Sequence, residues 1–150
     1  MRAISIVPVS TADIDVAVRL LEAQLLEHDI YTAEQAIRAV VEAVTRDNRH
    51  GFMLLGWSEN RPVGIAYAAA HLSAEHGGLI GWLEELYVVP DFRGCGVGSS
   101  LLSTVVSRAG ESNWRGIELE VVAGHERAAA LYARHGFGAL NRKRYVRMLA

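Results

Sequence analysis

Apolar and polar positions along the chain change period several times, and each change marks an element. Ile4 to Val9 reads as a short strand. Ser10 or Thr11 can cap the next segment, with Asp13 and Asp15 near the positive end of a helix dipole. Leu20, Leu21, Leu25 and Leu26 then recur at helical spacing. Thr32-x-x-Gln35 has the form of a capping box, and Ile37, Val40, Val41 and Val44 fall on one face of a second helix. Phe52 to Trp57 and Val63 to His71 read as strands joined by a turn at Glu59-Asn60-Arg61-Pro62. The Gly77-Gly78 pair breaks the chain before a longer strand, Leu79 to Val89. A helix from Val97 to about Ala109, a strand from Ile117 to Val122 and a helix from about Glu126 to His135 complete the middle. Gly136 stands where a left-handed helix end favours glycine. Phe137 to Leu140 and Arg144 to Leu149 read as two closing strands.

The order is β-α-α-β-β-β-α-β-α-β-β, an α/β chain with antiparallel strands first and one later crossover. The piece from Trp82 to Val122 should form a right-handed parallel unit. At 150 residues the sequence is one domain, 1–150, large enough to bury a core without a disulfide or metal staple. Cys95 is the one cysteine, which suits a reducing cytoplasm. The opening residues lack a long apolar core and read as no signal peptide, and no apolar run reaches membrane-spanning length. A formal net charge of −2 argues against a general nucleic-acid binder. The six histidines show no metal-ligand spacing.

Candidate chemistry begins at Pro90-Asp-Phe-Arg-Gly-Cys-Gly-Val-Gly-Ser-Ser-Leu-Leu102. Glycine at 94, 96 and 98 lets the backbone turn tightly and bring N–H groups against a ligand. The helix starting beside Val97 adds its unpaired N–H groups, and Arg93 adds a forked cation. Together they suit a phosphate or diphosphate. A P-loop would need a lysine after Gly98, and a dinucleotide fingerprint would need glycine at 99, which is Ser99.

A second segment, His125 to Phe137, comes after the crossover strand at the right distance. Together the two segments resemble the GNAT superfamily of acyl-CoA-dependent N-acetyltransferases. Arg93-x-x-Gly96-x-Gly98 is similar to that family's (Gln/Arg)-x-x-Gly-x-(Gly/Ala) loop, and Ala128-x-x-Leu131-Tyr132-x-x-x-Gly136-Phe137 to its later helix motif. Leu83 to Pro90 matches the strand leading into the loop. The resemblance implies a mixed, mostly antiparallel sheet of six or seven strands with about four helices, the fourth and fifth strands parallel around acetyl-CoA. It implies that Arg93, Gly94, Cys95, Gly96, Val97, Gly98 and Ser99 cradle the diphosphate, Cys95 as a small neutral filler. Leu86, Tyr87 and Val88 would pair with the pantetheine arm, with Ala128 also at the cofactor. His125 stands where the family often has Asn; it can still bond the pantetheine, and its titration near neutrality makes it a rival acid or base.

Amine acetylation also needs a proton donor for the thiolate and a base for the ammonium. By the resemblance, Tyr132 is the acid. Glu84 is the favoured base, acting through a water, with Glu85 the runner-up. A β-bulge near the site would shift the alternation that separates these two. No metal enters this chemistry. Glu22, Glu27, Asp29, Glu34, Glu84 and Glu85 could line an acidic mouth for a small cationic amine. A protein N-terminus or lysine side chain as acceptor, or a non-catalytic acyl-CoA sensor, are the alternatives. Partners are therefore acetyl-CoA and an amine, with neither nucleic acid nor membrane. Dimers are frequent in the family, so a homodimer is admitted.

Overall fold

Alternation of buried and exposed residues along the strands places two helices on one face of a sheet and one on the other. The computed structural model describes residues 3–150. Its elements are β1 (Ile4–Pro8), α1 (Ile14–Glu27), α2 (Glu34–Arg46), β2 (Gly51–Ser58), β3 (Arg61–Ser73), β4 (Gly78–Val88), α3 (Val97–Glu111), β5 (Ile117–Glu118) and α4 (Glu126–Arg134), with short 3-10 turns at Thr11–Asp13, Asn48–His50 and Pro90–Phe92. They fall into two compact units, divided after Glu120.

In the first unit the five strands form one sheet in the order β1-β2-β3-β4-β5. The pairs β1–β2, β2–β3 and β3–β4 are antiparallel, and β4–β5 is parallel. Met53, Leu55, Ile65 and Tyr87 point to the face covered by α1 and α2, packing with Ala17, Val18, Leu21, Ile37 and Val41. The intervening positions meet α3: a side chain built on Gly56 or Gly64 would touch Val97, and one on Gly64 also Leu101.

Several local expectations differ. Thr32 and Gln35 make no capping box. The helix begins at Glu34 with Ala33 as its cap, so Thr32 lies one residue too early. Glu34 instead pairs with Arg38 one turn on, at 2.6 Å, and Arg38 also reaches Asp15 at 2.7 Å, tying the starts of α1 and α2 together. Leu26 and Val40 lie at the margins of their apolar stripes and are exposed. The strand expected over 117–122 pairs only at Ile117 and Glu118, opposite Gly81 and Trp82.

The second unit, Val121–Ala150, holds α4 and no strand. The strands expected at 137–140 and 144–149 do not form, so the sheet has five strands rather than six or seven. Strand propensity describes fit to a neighbouring ladder, and those residues have none; Tyr145, Val146 and Met148 remain exposed.

Gly64 carries α3 against the sheet. An added Cβ would lie 2.8 Å from the Tyr87 carbonyl oxygen and 2.9 Å from Leu101. Gly64→Val should therefore overpack this layer and destabilise by about 1–3 kcal/mol, read as a lower urea midpoint with an unchanged slope. An unchanged midpoint would mean that α3 does not rest on Gly64.

Candidate active site

The glycine loop fits an anion by its backbone. Gly94 and Gly96 take φ of 74° and 86°, the left-handed region that favours glycine. Gly96 is the N-cap of α3, and the Ser100 N–H reaches its carbonyl at 3.0 Å. The opening N–H groups of the helix, from Val97 onward, therefore come before this first turn closes. The side chain of Val97 is buried in the core, anchoring the helix start, while that of Cys95 is exposed. Gly98 and Ser99 lie in the first turn. A phosphate at this terminus would meet aligned N–H groups and the positive end of the dipole.

Beside the loop, β4 has an open edge. Val89 donates to the Val63 carbonyl, so 63 and 89 form a hydrogen-bonded pair. By alternation Tyr87 also bonds toward β3, while the N–H and C=O groups of Leu86 and Val88 point the other way. That edge meets β5 only at Gly81 and Trp82, leaving Leu83 to Val88 open beyond it. An extended arm carrying amides could pair there as an added strand. Two side chains already reach this edge: Gln24 Nε2, from α1, donates to the Leu86 carbonyl at 3.5 Å, and Arg93 Nε, from the loop after β4, to the Val88 carbonyl at 2.8 Å.

The expected bulge is present, and Glu84 is its extra residue. Tyr67 pairs with Glu85, whereas the next residue, Ala68, pairs with Leu83. Glu84 is exposed. Glu85 is half-buried on the face shared with Tyr67 and Tyr87, the face that α1 and α2 cover. Burial, and then the nearby Glu84 charge, raise the Glu85 carboxyl to about 7. Burial and Glu84 likewise raise the Tyr67 phenol. These three groups form one cluster at the bulge.

Arg93 does not stand apart as a bare cation. Besides Val88 it donates through Nη2 to Glu27 at 2.5 Å, and its guanidinium lies 5.6 Å from the centre of the Tyr87 ring. Gln24 and Tyr67 join the site only through the fold, and Glu27, expected at an acidic mouth, is instead paired with Arg93. The sequence signal of Gln24 and Tyr67 was slight: Gln24 sits one turn before Glu27 on α1, and Tyr67 lies mid-strand among alanines.

In the second unit, His125 caps α4 and accepts the Ala129 N–H on its carbonyl at 3.2 Å. Ala128 lies in the first turn. The C-terminus closes as expected on Gly136, with φ of 87°. Phe137 N–H reaches the Tyr132 carbonyl and Gly136 N–H that of Ala133, both at 3.1 Å. The rings of Tyr132 and Phe137 meet edge-on at 5.9 Å. Tyr132 is thus held at both its backbone and its ring. Among the described residues, no group of three His, Cys, Asp or Glu side chains is placed to hold a metal ion.

Because the folded pKa of Glu85 lies above its ordinary value of 4.5, the native state binds the proton more tightly than the unfolded chain. Stability should fall as pH rises from about 4.5 to about 7, then level off. Glu85→Gln should remove that part of the slope in urea titrations at a series of pH values. An unaltered slope would show that Glu85 titrates normally.

The family model for the acetyltransferase (GNAT) family matches residues 18–137. No curated protein matches the chain significantly. Among solved structures, the integron cassette protein HFX_CASS3, from the mobile metagenome of Cole Harbour Salt Marsh, superposes with a TM-score of 0.86 at 25% identity, over 97% of this chain and 90% of that one. AAC(6')-Iy, in complex with a bisubstrate analogue, CoA-S-monomethyl-acetylneamine, gives 0.85 at 17% identity over 99% of both chains. A predicted acetyltransferase with acetyl-CoA from Clostridium acetobutylicum gives 0.81 at 18%, over 97% and 96%. The last two show the fold alone. The family model covers both the glycine-loop helix and the tyrosine helix, and with it the chain belongs to the GNAT family of acetyltransferases.

Proposed function

We propose that this chain transfers an acetyl group from acetyl-CoA to a primary amine by direct attack in a ternary complex. The observation that carries the reading is the open edge of β4 ending at the N-terminus of α3. The edge offers backbone groups to an extended amide-bearing arm, and the helix start offers N–H groups to a diphosphate. The N–H groups of Gly94 to Ser99 hold that diphosphate; those of Leu86 and Val88 hold the arm, one of them facing the thioester oxygen. Structures with CoA or acetyl-CoA bound to proteins of this fold support the choice of donor.

The amine must arrive deprotonated, and the leaving thiolate must gain a proton. The nitrogen lone pair forms the new C–N bond as the C–S bond breaks. Glu85 takes the ammonium proton, and Tyr132 gives one to the sulfur. Glu85 is preferred to Glu84 because a base works best with a pKa near the working pH, and its pKa lies at about 7. Glu84, exposed at the bulge, adds to burial in raising that value. His125 contacts the donor arm rather than moving a proton.

The acceptor is a small amine. Glu27 and Glu34, two of the acids counted toward an acidic mouth, are already paired with Arg93 and Arg38. Glu22, Asp29, Glu84 and Glu85 are the carboxylates left to favour a cation. The CoA–acetylneamine analogue held by AAC(6')-Iy supports an amino sugar as one class to try.

Acetyl-CoA should raise the melting temperature, and a panel of amino sugars, polyamines and basic amino acids should include one that releases free thiol. A thermal shift without thiol release across that panel would indicate an acyl-CoA sensor. With the best amine, Tyr132→Phe should lower kcat by about 100-fold or more while donor affinity changes little. Equal turnover at saturation would remove Tyr132 from proton transfer. The wild-type rate should rise with pH through about 7 as Glu85 loses its proton. Glu85→Gln should abolish that limb, and Glu84→Gln should move it to lower pH. A limb unchanged in Glu85→Gln would assign the base elsewhere.

A further inference from the structure

The start of α3 faces the donor, but its second half overhangs β1, three strands away from β4 in the sheet. Between the helix and β1 lies an open cleft of about 460 Å³, within the range of small-molecule sites, about 300–1,000 Å³. Its floor is apolar: Ile6 and Pro8 from β1, and the fully buried Leu54 from β2. Its wall is polar, with Ser103, Ser107, Arg108 and Glu111 sharing one face of α3 by their spacing. From Val97 to Arg108 the helix rises about 16 Å, so the cleft stands well clear of the glycine loop.

Arg108 is the unusual member of this wall. Its guanidinium lies over the Phe52 ring, 5.3 Å from the centre, and Phe52 stacks in turn on Trp114 at 5.2 Å. A ring engages the face of a guanidinium and leaves its in-plane N–H groups for other partners. The Nε of Arg108 is buried and has no acceptor among the described residues. A buried donor without an acceptor is costly, so an acceptor brought to it is favoured. The open cleft gives the side chain room to turn its Nε–Nη edge toward a carboxylate, which takes both donors at once.

Glu111 lies three residues further along the same wall, close enough in sequence for a helical ion pair with Arg108. Among the described residues, neither side chain enters an ion pair. Glu111 also sits in the last turn of α3, where the helix dipole disfavours an acid and favours a cation. One helix face thus offers an unanswered cation and an unanswered anion above an apolar floor. A simple carboxylate would satisfy Arg108 but meet repulsion from Glu111, and a simple amine the reverse. A molecule carrying both charges on one carbon satisfies both.

We propose that the cleft between α3 and β1 binds a free α-amino acid with an apolar side chain. Its carboxylate lies on Arg108, its ammonium beside Glu111, and its side chain on Ile6, Pro8 and Leu54. This site is separate from acetyl transfer and does not depend on that reading.

The test is a titration of backbone amide resonances without acetyl-CoA, so that nothing is consumed. The probes are leucine, isocaproate (leucine without its amine), isoamylamine (leucine without its carboxylate) and glycine. Leucine should shift amides at 6–8 and 103–111, and each of the other three should bind at least about tenfold more weakly, the loss of one favourable contact. Arg108→Gln and Glu111→Gln should each weaken leucine by about tenfold. Glu111 is exposed, so its variant keeps the test decisive if Arg108→Gln fails to fold. Both variants should bind acetyl-CoA within about twofold of wild type, because the two sites are far apart. Isocaproate binding as tightly as leucine, with Glu111→Gln unaltered, would overturn the zwitterion in favour of a plain carboxylate site. Leucine shifts centred on Tyr67 and Glu85 would make it an acceptor at the transfer site and overturn the cleft. No shift with any probe would overturn it as well.

Discussion

The site depends on β4 losing its neighbour halfway along. β5 pairs with it at Gly81 and Trp82 and then stops, while β3 continues to bond its other edge to Val89. Strands in a sheet interior have both edges satisfied, so an unpaired stretch inside a buried sheet needs a reason. Here Trp114 packs over Gly81, where a side chain would collide with its ring, and holds the parallel pair together just before it parts. Beyond Trp82 the bulge at Glu84 changes the twist of β4, and its open edge runs toward the glycine loop. An arm paired along that edge would be led to the helix start without any dedicated binding loop.

The same bulge organises the charges. Without it, Glu84 and Glu85 would alternate between faces in the ordinary way. With it, Glu84 bulges into solvent, while Glu85, in ordinary alternation with Tyr87, keeps to the half-buried face beside Tyr67. Adjacent residues thereby acquire different surroundings. Burial, and then the neighbouring Glu84, raise the Glu85 carboxyl to about 7.

Much of this was legible in the sequence where local chemistry decides conformation. The left-handed glycines at 94, 96 and 136, the strand before the loop and the two motif helices arise from backbone preferences and periodicity. The tail was not legible, because Arg144 to Leu149 has strand composition and no strand beside it. Nor was the start of α2, where a one-residue offset moved the Thr32 hydroxyl out of reach. Of the charged groups, Arg93 was legible as part of a loop motif. Its partner Glu27 lies 66 residues away and is joined to it only by folding. The place of Glu84 as the extra residue of the bulge depends on the register of β3 against β4.

The most direct test is to monitor backbone amide resonances of the chain as acetyl-CoA is added. The largest shifts should fall on Leu86, Val88 and Gly94 to Ser99, with β1 and β2 nearly unmoved. Shifts centred elsewhere, or none along the open edge of β4, would contradict a donor site built on that edge.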